Sequence, residues 1–257
     1  MAKKNNRKRS IEDEIYEVEQ MSLNNKNKQT PNFKINIKFK NKKQKELYDL
    51  ILNNRIIFIN GSPGTGKSII ALMAGLECLR NKNININQII LTKPIVEVSK
   101  SLGALPGDLN EKTFPFYTHF YDNLVKIIGN EAVKYLRESG QIKETILNYL
   151  RGTTFGTYDE NGNSIGSFCF FDEIQNTTIT EVKTFISRMG ENTTLVLAGD
   201  LDQIDIKLGM NEKSGFQHAW EILQDIPGIV FFEFTDDDIV REKFLIDIMK
   251  RYKNNPK

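Results

Sequence analysis

The sequence predicts an α/β protein with one mostly parallel sheet covered by helices on both faces. Three observations carry this. Short apolar runs recur along the chain: "RIIFI" (55–59), "QIILTKP" (88–94), "GSFCFFDE" (166–173), "TTLVLAGD" (193–200) and "GIVFFEFT" (228–235). Helical patterns separate them, among them "KKQKELYDLILNN" (42–54) and "KSIIALMAGLECLR" (67–80), and a long, largely helical region is expected from about 95 to 150. The runs are continuous rather than alternating, as strands buried on both faces require.

Composition narrows the class. The 257 residues suffice for one large α/β domain with extensions or for two small ones. The 39% apolar content suits a soluble core, and no run approaches the roughly 18 apolar residues of a membrane span. The basic N-terminus lacks the apolar stretch of a secretory signal. A cytoplasmic protein with no membrane partner is expected. Cys78 and Cys169 sit in apolar contexts without metal-ligand spacing, which fits reduced core residues. His119 and His218 are isolated in sequence and read as structural.

The net charge of +2 hides an asymmetry. Residues 1–45 hold thirteen Lys/Arg and five Asp/Glu, a balance of +8, which leaves −6 for the rest. Such a basic arm either neutralises phosphates or is a solvated tail. Residues 1–41 are expected to form an extension: a disordered start, a short helix from Ser10, and a half-buried strand where "FKINIKFK" (33–40) alternates apolar and polar residues. The main domain is expected over 42–257.

Gly61, Ser62, Pro63, Gly64, Thr65, Gly66, Lys67 and Ser68 satisfy G-x-x-x-x-G-K-[ST] between a strand and a helix. The glycines let successive N–H groups point inward beside a helix N-terminus, making an anion cradle. Lys67 is expected on the β- and γ-phosphates of ATP and the Ser68 hydroxyl on Mg²⁺. The strand "FCFF" ends in Asp172 and Glu173. Two carboxylates there are costly if buried unpaired, but at the carboxyl edge of a sheet they reach the ligand crevice. Asp172 then suits Mg²⁺ binding and Glu173 suits the general base for an attacking water. Thr178 and Glu181 form a capping box for the next helix. Asp200, Gln203 and Asp205 follow another strand, where Gln203 could sense a γ-phosphate; a polar strand-end turn is the alternative.

These residues resemble the PhoH-like, phosphate-starvation-inducible family of ATPases, relatives of the superfamily 1 helicase motor core. The resemblance runs from about Gln44 to Tyr252. It rests on "GSPGTGKS", "LTKPIVEVSKSLGALPGDLNEK", "FFDEIQNTT", "AGDLDQID", "SGFQHAWEIL" and "DDDIVREKFLIDI", in that order. It implies a single RecA-like P-loop NTPase domain that binds ATP and Mg²⁺. It also implies an adenine contact from Gln44, with Tyr48 nearby, and a γ-phosphate contact from Arg241. Whether Arg241 serves its own subunit or a neighbour stays open, as does a surface ion pair with Asp237 or Asp238. The chain departs from the family pattern in "RGTTFGTYDENGNSIGSF" (151–168), where extra residues centred on Asn161-Gly162 predict a protruding type I′ β-hairpin at 155–168. Thr153 replaces an expected basic residue.

Helicase relatives pair two such lobes around ATP, and residues 42–257 supply one. Self-assembly into a homo-oligomer, plausibly a hexameric ring, would close the site. The leading expectation is ATP hydrolysis coupled to RNA or single-stranded DNA. Lys93, the "KSLGALPGDLNEK" loop and an aromatic stretch (Phe114, Phe116, Tyr117, Phe120, Tyr121) are candidates to touch the strand, with core packing the alternative for the aromatics. A nucleotide-driven assembly switch or chaperone-like ATPase with no nucleic-acid partner is the second reading. A small-molecule phosphotransferase is the third.

Overall fold

The computed structural model describes residues 33–36, 38–94, 109–150, 152–209, 212–242, 244, 245, 248 and 251. Seven strands are present among them: β1 (Ile56–Asn60), β2 (Ile86–Thr92), β3 (Ile142–Glu144), β4 (Thr157–Tyr158), β5 (Ser164–Phe171), β6 (Thr194–Gly199) and β7 (Ile229–Glu233). Six lie side by side in the order β3-β2-β5-β6-β1-β7, and every neighbouring pair is parallel. All their carboxyl ends therefore open on one edge. The fold is that of a single α/β P-loop NTPase domain.

Strand periodicity sorts the core into two layers. Ile57, Ile59, Ile89, Leu91, Phe168, Phe170, Val196 and Ala198 face one way. They pack under α1 (Lys42–Asn53), α2 (Lys67–Arg80), α3 (Leu109–Ile128) and α4 (Asn130–Glu138). The intervening residues Phe58, Ile90, Cys169, Phe171, Leu195 and Leu197 face α5 (Ile179–Ile186) and α6 (Gly215–Ile222). Phe58, Phe168, Phe170 and Phe171 are fully buried, each contributing about 1.5–3 kcal/mol from removal of apolar surface from water. Helices on both faces explain why alternation is missing from the sequence of these strands.

The helix starts follow their caps. Thr178 and Glu181 form the expected capping box on α5, and Ser214 with Gln217 forms a second on α6; an N-cap of this kind contributes about 1 kcal/mol. Asn41 caps α1 by accepting from the Gln44 amide.

Two expectations need correction and one gains detail. The described residues of 33–40 form no strand. Phe33 instead buries its ring in the core, and the Asn36 amide donates to the Ile127 carbonyl at 3.0 Å at the end of α3. The described part of the segment expected to be largely helical, 109–150, is so in α3 and α4, and adds the short β3 and a 3₁₀ turn, Leu147–Leu150. The hairpin exists, with β4 antiparallel to β5, but its turn is not the two-residue type I′. That turn requires positive φ at both central residues, and Asn161 has none, whereas Gly162 has φ 80°. The Asp159 carboxylate organises the loop by accepting from the amides of Asn161 and Asn163, each at 2.8 Å. The basic start and the helix expected from Ser10 lie outside the described residues.

Candidate functional site

The site forms where β1 ends. After Asn60 the chain makes the 61–66 loop, with Gly64 and Gly66 at φ 93° and 97°, and enters α2 at Lys67. The loop lies at the same edge as the carboxyl ends of β5 and β6. β6 separates β1 from β5 in the sheet, yet side chains close the gap: the Ser68 hydroxyl donates to Asp172 Oδ2 at 2.6 Å. Lys67 folds over the loop, donating to the carbonyls of Gly61 and of Ser62. Burial pushes the Lys67 ammonium below its usual pKa, and the carboxylates of Asp172, Asp200 and Glu173 oppose that shift in decreasing order. A lysine on the loop carbonyls within the field of three carboxylates is placed to meet a polyanion and its counter-cation.

Asp172 is buried and Glu173 is exposed. The Asp172 amide continues the ladder to the Thr92 carbonyl at 3.0 Å. The backbone then reverses at Glu173, whose φ of 58° is left-handed. Such a conformation costs a non-glycine residue on the order of 1–3 kcal/mol and is found where the surroundings hold it. The following 3₁₀ turn, Ile174–Asn176, buries Ile174 and Gln175 beneath it.

The loop after β6 is built into the same edge. Asn60 accepts from the Leu201 amide at 3.0 Å and donates to Glu233 at 2.8 Å. Asn176 accepts from the amides of Asp205 and Ile206 at 2.7 and 3.2 Å. Asp200 is buried, whereas Gln203 and Asp205 are exposed on this loop, and the Gln203 amide donates to the Asp200 carbonyl.

Arg241 reaches the phosphate loop within its own chain. A Cβ added at Gly64 would stand 2.6 Å from Arg241 Nε, so glycine at 64 makes room for the guanidinium. The approach is pinned twice, by the Val240 amide on the Gly64 carbonyl at 2.9 Å and by the Ser62 hydroxyl on Asp236 at 2.9 Å. Asp238 pairs with Lys43 at 3.4 Å and not with Arg241.

Gln44 is buried beside the loop, but both ends of its carboxamide are engaged. Oε1 accepts from the Lys40 amide at 2.8 Å, and Nε2 donates to the Thr65 carbonyl at 2.9 Å. It braces the loop, and each end of the carboxamide has a second hydrogen-bonding position, so these bonds leave room for the expected adenine contact. Tyr48 lies against Phe39 and beside Glu77 and Arg80, at the far end of α2 from the loop.

The PhoH-like protein family model matches residues 36–253. The chain belongs to the PhoH-like family. It is 36% identical over 216 residues to the PhoH-like protein of Bacillus subtilis (strain 168), covering 84% of this chain and 64% of that one. With Protein PhoH of Escherichia coli (strain K12) it shares 34% over 204 residues, 79% of this chain and 54% of that one. It thus spans roughly half to two thirds of the length of these relatives. In backbone it is similar to the large terminase of a thermophilic bacteriophage (14% identity, 88% of this chain and 51% of that one, TM-score 0.46). It is similar also to Pif1 helicase from Candida albicans (16% identity, 84% and 44%, TM-score 0.42).

In this PhoH-like chain two residues of the site escape a sequence reading. His119, expected to be structural, places Nε2 3.6 Å from Asp172 Oδ2 with its ring against Phe120. Nothing in the local pattern around 119 marks a contact with residue 172, because α3 brings them together only in the fold. Gln175 is the second, and only its place within "DEIQ" could have drawn notice. Of the aromatic stretch, Tyr117, Phe120 and Tyr121 are buried and Phe116 is half-buried. They pack the core and are not a stacking platform. The Phe114 side chain and residues 95–108, with most of the family's most specific stretch, lie outside the described residues. Lys93 lies at the carboxyl end of β2, half-buried.

Proposed function

We propose that this chain hydrolyses ATP with Mg²⁺ and couples hydrolysis to binding or remodelling of RNA or single-stranded DNA. The observation that carries the reading is the 2.6 Å bond from Ser68 to Asp172, which joins the phosphate loop to the acidic strand end across one intervening strand. A hydroxyl and a carboxylate at that spacing are hard oxygen donors, the set Mg²⁺ takes together with phosphate oxygens. Bound there with the nucleotide, the ion would neutralise charge on the β- and γ-phosphates. Lys67 exchanges its two loop carbonyls for phosphate oxygens. Glu173, exposed at the mouth, orients and deprotonates the attacking water. Gln203 lies on the adjoining loop to sense the γ-phosphate, and Arg241 stabilises charge on the transferring group.

The described residues supply one lobe of the site. Assembly of several copies into a hexameric ring would supply a second wall. The nucleic-acid partner follows from family resemblance and from the +8 balance of residues 1–45. The test is steady-state ATP turnover with and without single-stranded RNA or DNA, across salt concentration. The expected result is stimulation that fades as salt rises, since phosphate contacts release counterions. Turnover indifferent to both nucleic acids would favour the assembly-switch reading. Turnover only with an added small acceptor would favour a phosphotransferase.

A further inference from the structure

Gln175 is 1% exposed and sits two residues beyond the proposed base. Its carboxamide is used at both ends. Nε2 donates to Glu173 Oε2 at 2.7 Å, and Oε1 accepts from the Asp200 amide at 3.1 Å. The orientation is not ambiguous. A backbone N–H can only donate, so it must face the oxygen, and the amino group must then face the carboxylate. The bond from the Asp200 amide is buried, whereas the one to Glu173 lies at the edge of the exposed carboxylate. The end of β6 is shaped around it: a Cβ at Gly199 would stand 2.7 Å from Gln175 Oε1 and 3.0 Å from Ile174 Cγ2.

Resting on Glu173 as the general base, we propose that Gln175 is a positioning residue. It sets the Glu173 carboxylate from the Asp200 backbone, and so from the loop that carries Gln203. Glu173 needs such a partner because its side chain is exposed and its backbone is held in a left-handed conformation. Without a fixed donor the carboxylate would sample several rotamers, few of them aimed at a water on the γ-phosphate. The amide plane is rigid, so a displacement of Asp200 is transmitted to the base.

The test is kinetic. Gln175→Glu keeps an oxygen for the Asp200 amide; ionised it turns the donor toward Glu173 into an acceptor, and protonated it shares its proton with the base, so either form disturbs the carboxylate. We expect kcat to fall about 10- to 100-fold, the scale of a misplaced reacting group, with KM and the affinity for a fluorescent ATP analogue within about 3-fold of the unaltered chain. Gln175→Met, which fills the space without polar atoms, should show the same split. The deciding comparison is made in a Glu173→Gln background, where either change should alter the residual turnover less than about 2-fold, because the effect runs through the carboxylate. An unchanged kcat in Gln175→Glu overturns the proposal. So does an equal fall in the Glu173→Gln background, or loss of nucleotide binding by both variants, which marks a structural pillar. If Glu173→Gln alone turns over ATP normally, the base assignment itself fails, and that result is separate from any effect of Gln175.

Discussion

Glu173→Gln is expected to bind ATP as tightly as the unaltered protein and to hydrolyse it about 10²- to 10⁴-fold more slowly, the range a positioned general base contributes. The amide is nearly isosteric and can still accept from Gln175 Nε2 through its oxygen, so the fold should be undisturbed. What disappears is the capacity to take a proton from water. Burst-free single-turnover hydrolysis, together with retained nucleotide on rapid filtration, checks it. Normal hydrolysis by this variant would remove Glu173 from the mechanism and leave only its strained backbone unexplained.

Arg241→Ala should lower kcat by up to about 10³- to 10⁵-fold where the arginine acts in full. Arg241→Lys should recover little, because an ammonium lacks the planar fork of donors. The structure gives this prediction a sharper form. Arg241 Nε lies beside Gly64 of its own chain, with Val240 tied to the same glycine, so the arginine is expected to act in cis. Mixing Arg241→Ala with Lys67→Ala protein should therefore restore no ATPase activity. An arginine reaching into a neighbour's site would instead give activity in the mixture, because Lys67→Ala subunits would lend Arg241 to intact phosphate loops. Titrating one variant into the other distinguishes the two.

Much of the fold could be anticipated because burial on both faces leaves a plain trace: residues 56–59, 168–171 and 195–198 are unbroken apolar runs, and each lies in an interior strand. The phosphate loop and the Thr178–Glu181 box were legible because their chemistry is local. What was not legible depends on distant partners. "FKINIKFK" alternates like a strand, but a strand needs an edge to pair with, and this segment instead meets the end of α3 through Asn36. Asn161-Gly162 signalled a hairpin correctly, while the turn type was decided by the Asp159 carboxylate, which offers the loop amides better acceptors than a two-residue turn does. His119 and Gln175 join the site through contacts with Asp172 and Asp200 across the fold. The reach of Arg241 to Gly64 spans most of the domain.

The central claim is that a magnesium-bound triphosphate lies between the 61–68 loop and the 172–173 carboxylates. The most direct measurement is a crystal structure of the Glu173→Gln variant with ATP and Mg²⁺. The account predicts the metal beside Ser68 Oγ and Asp172, the β- and γ-phosphates on the loop amides and Lys67, and residue 173 facing the γ-phosphate. Triphosphate bound elsewhere, or a metal seated away from both Ser68 and Asp172, would contradict it.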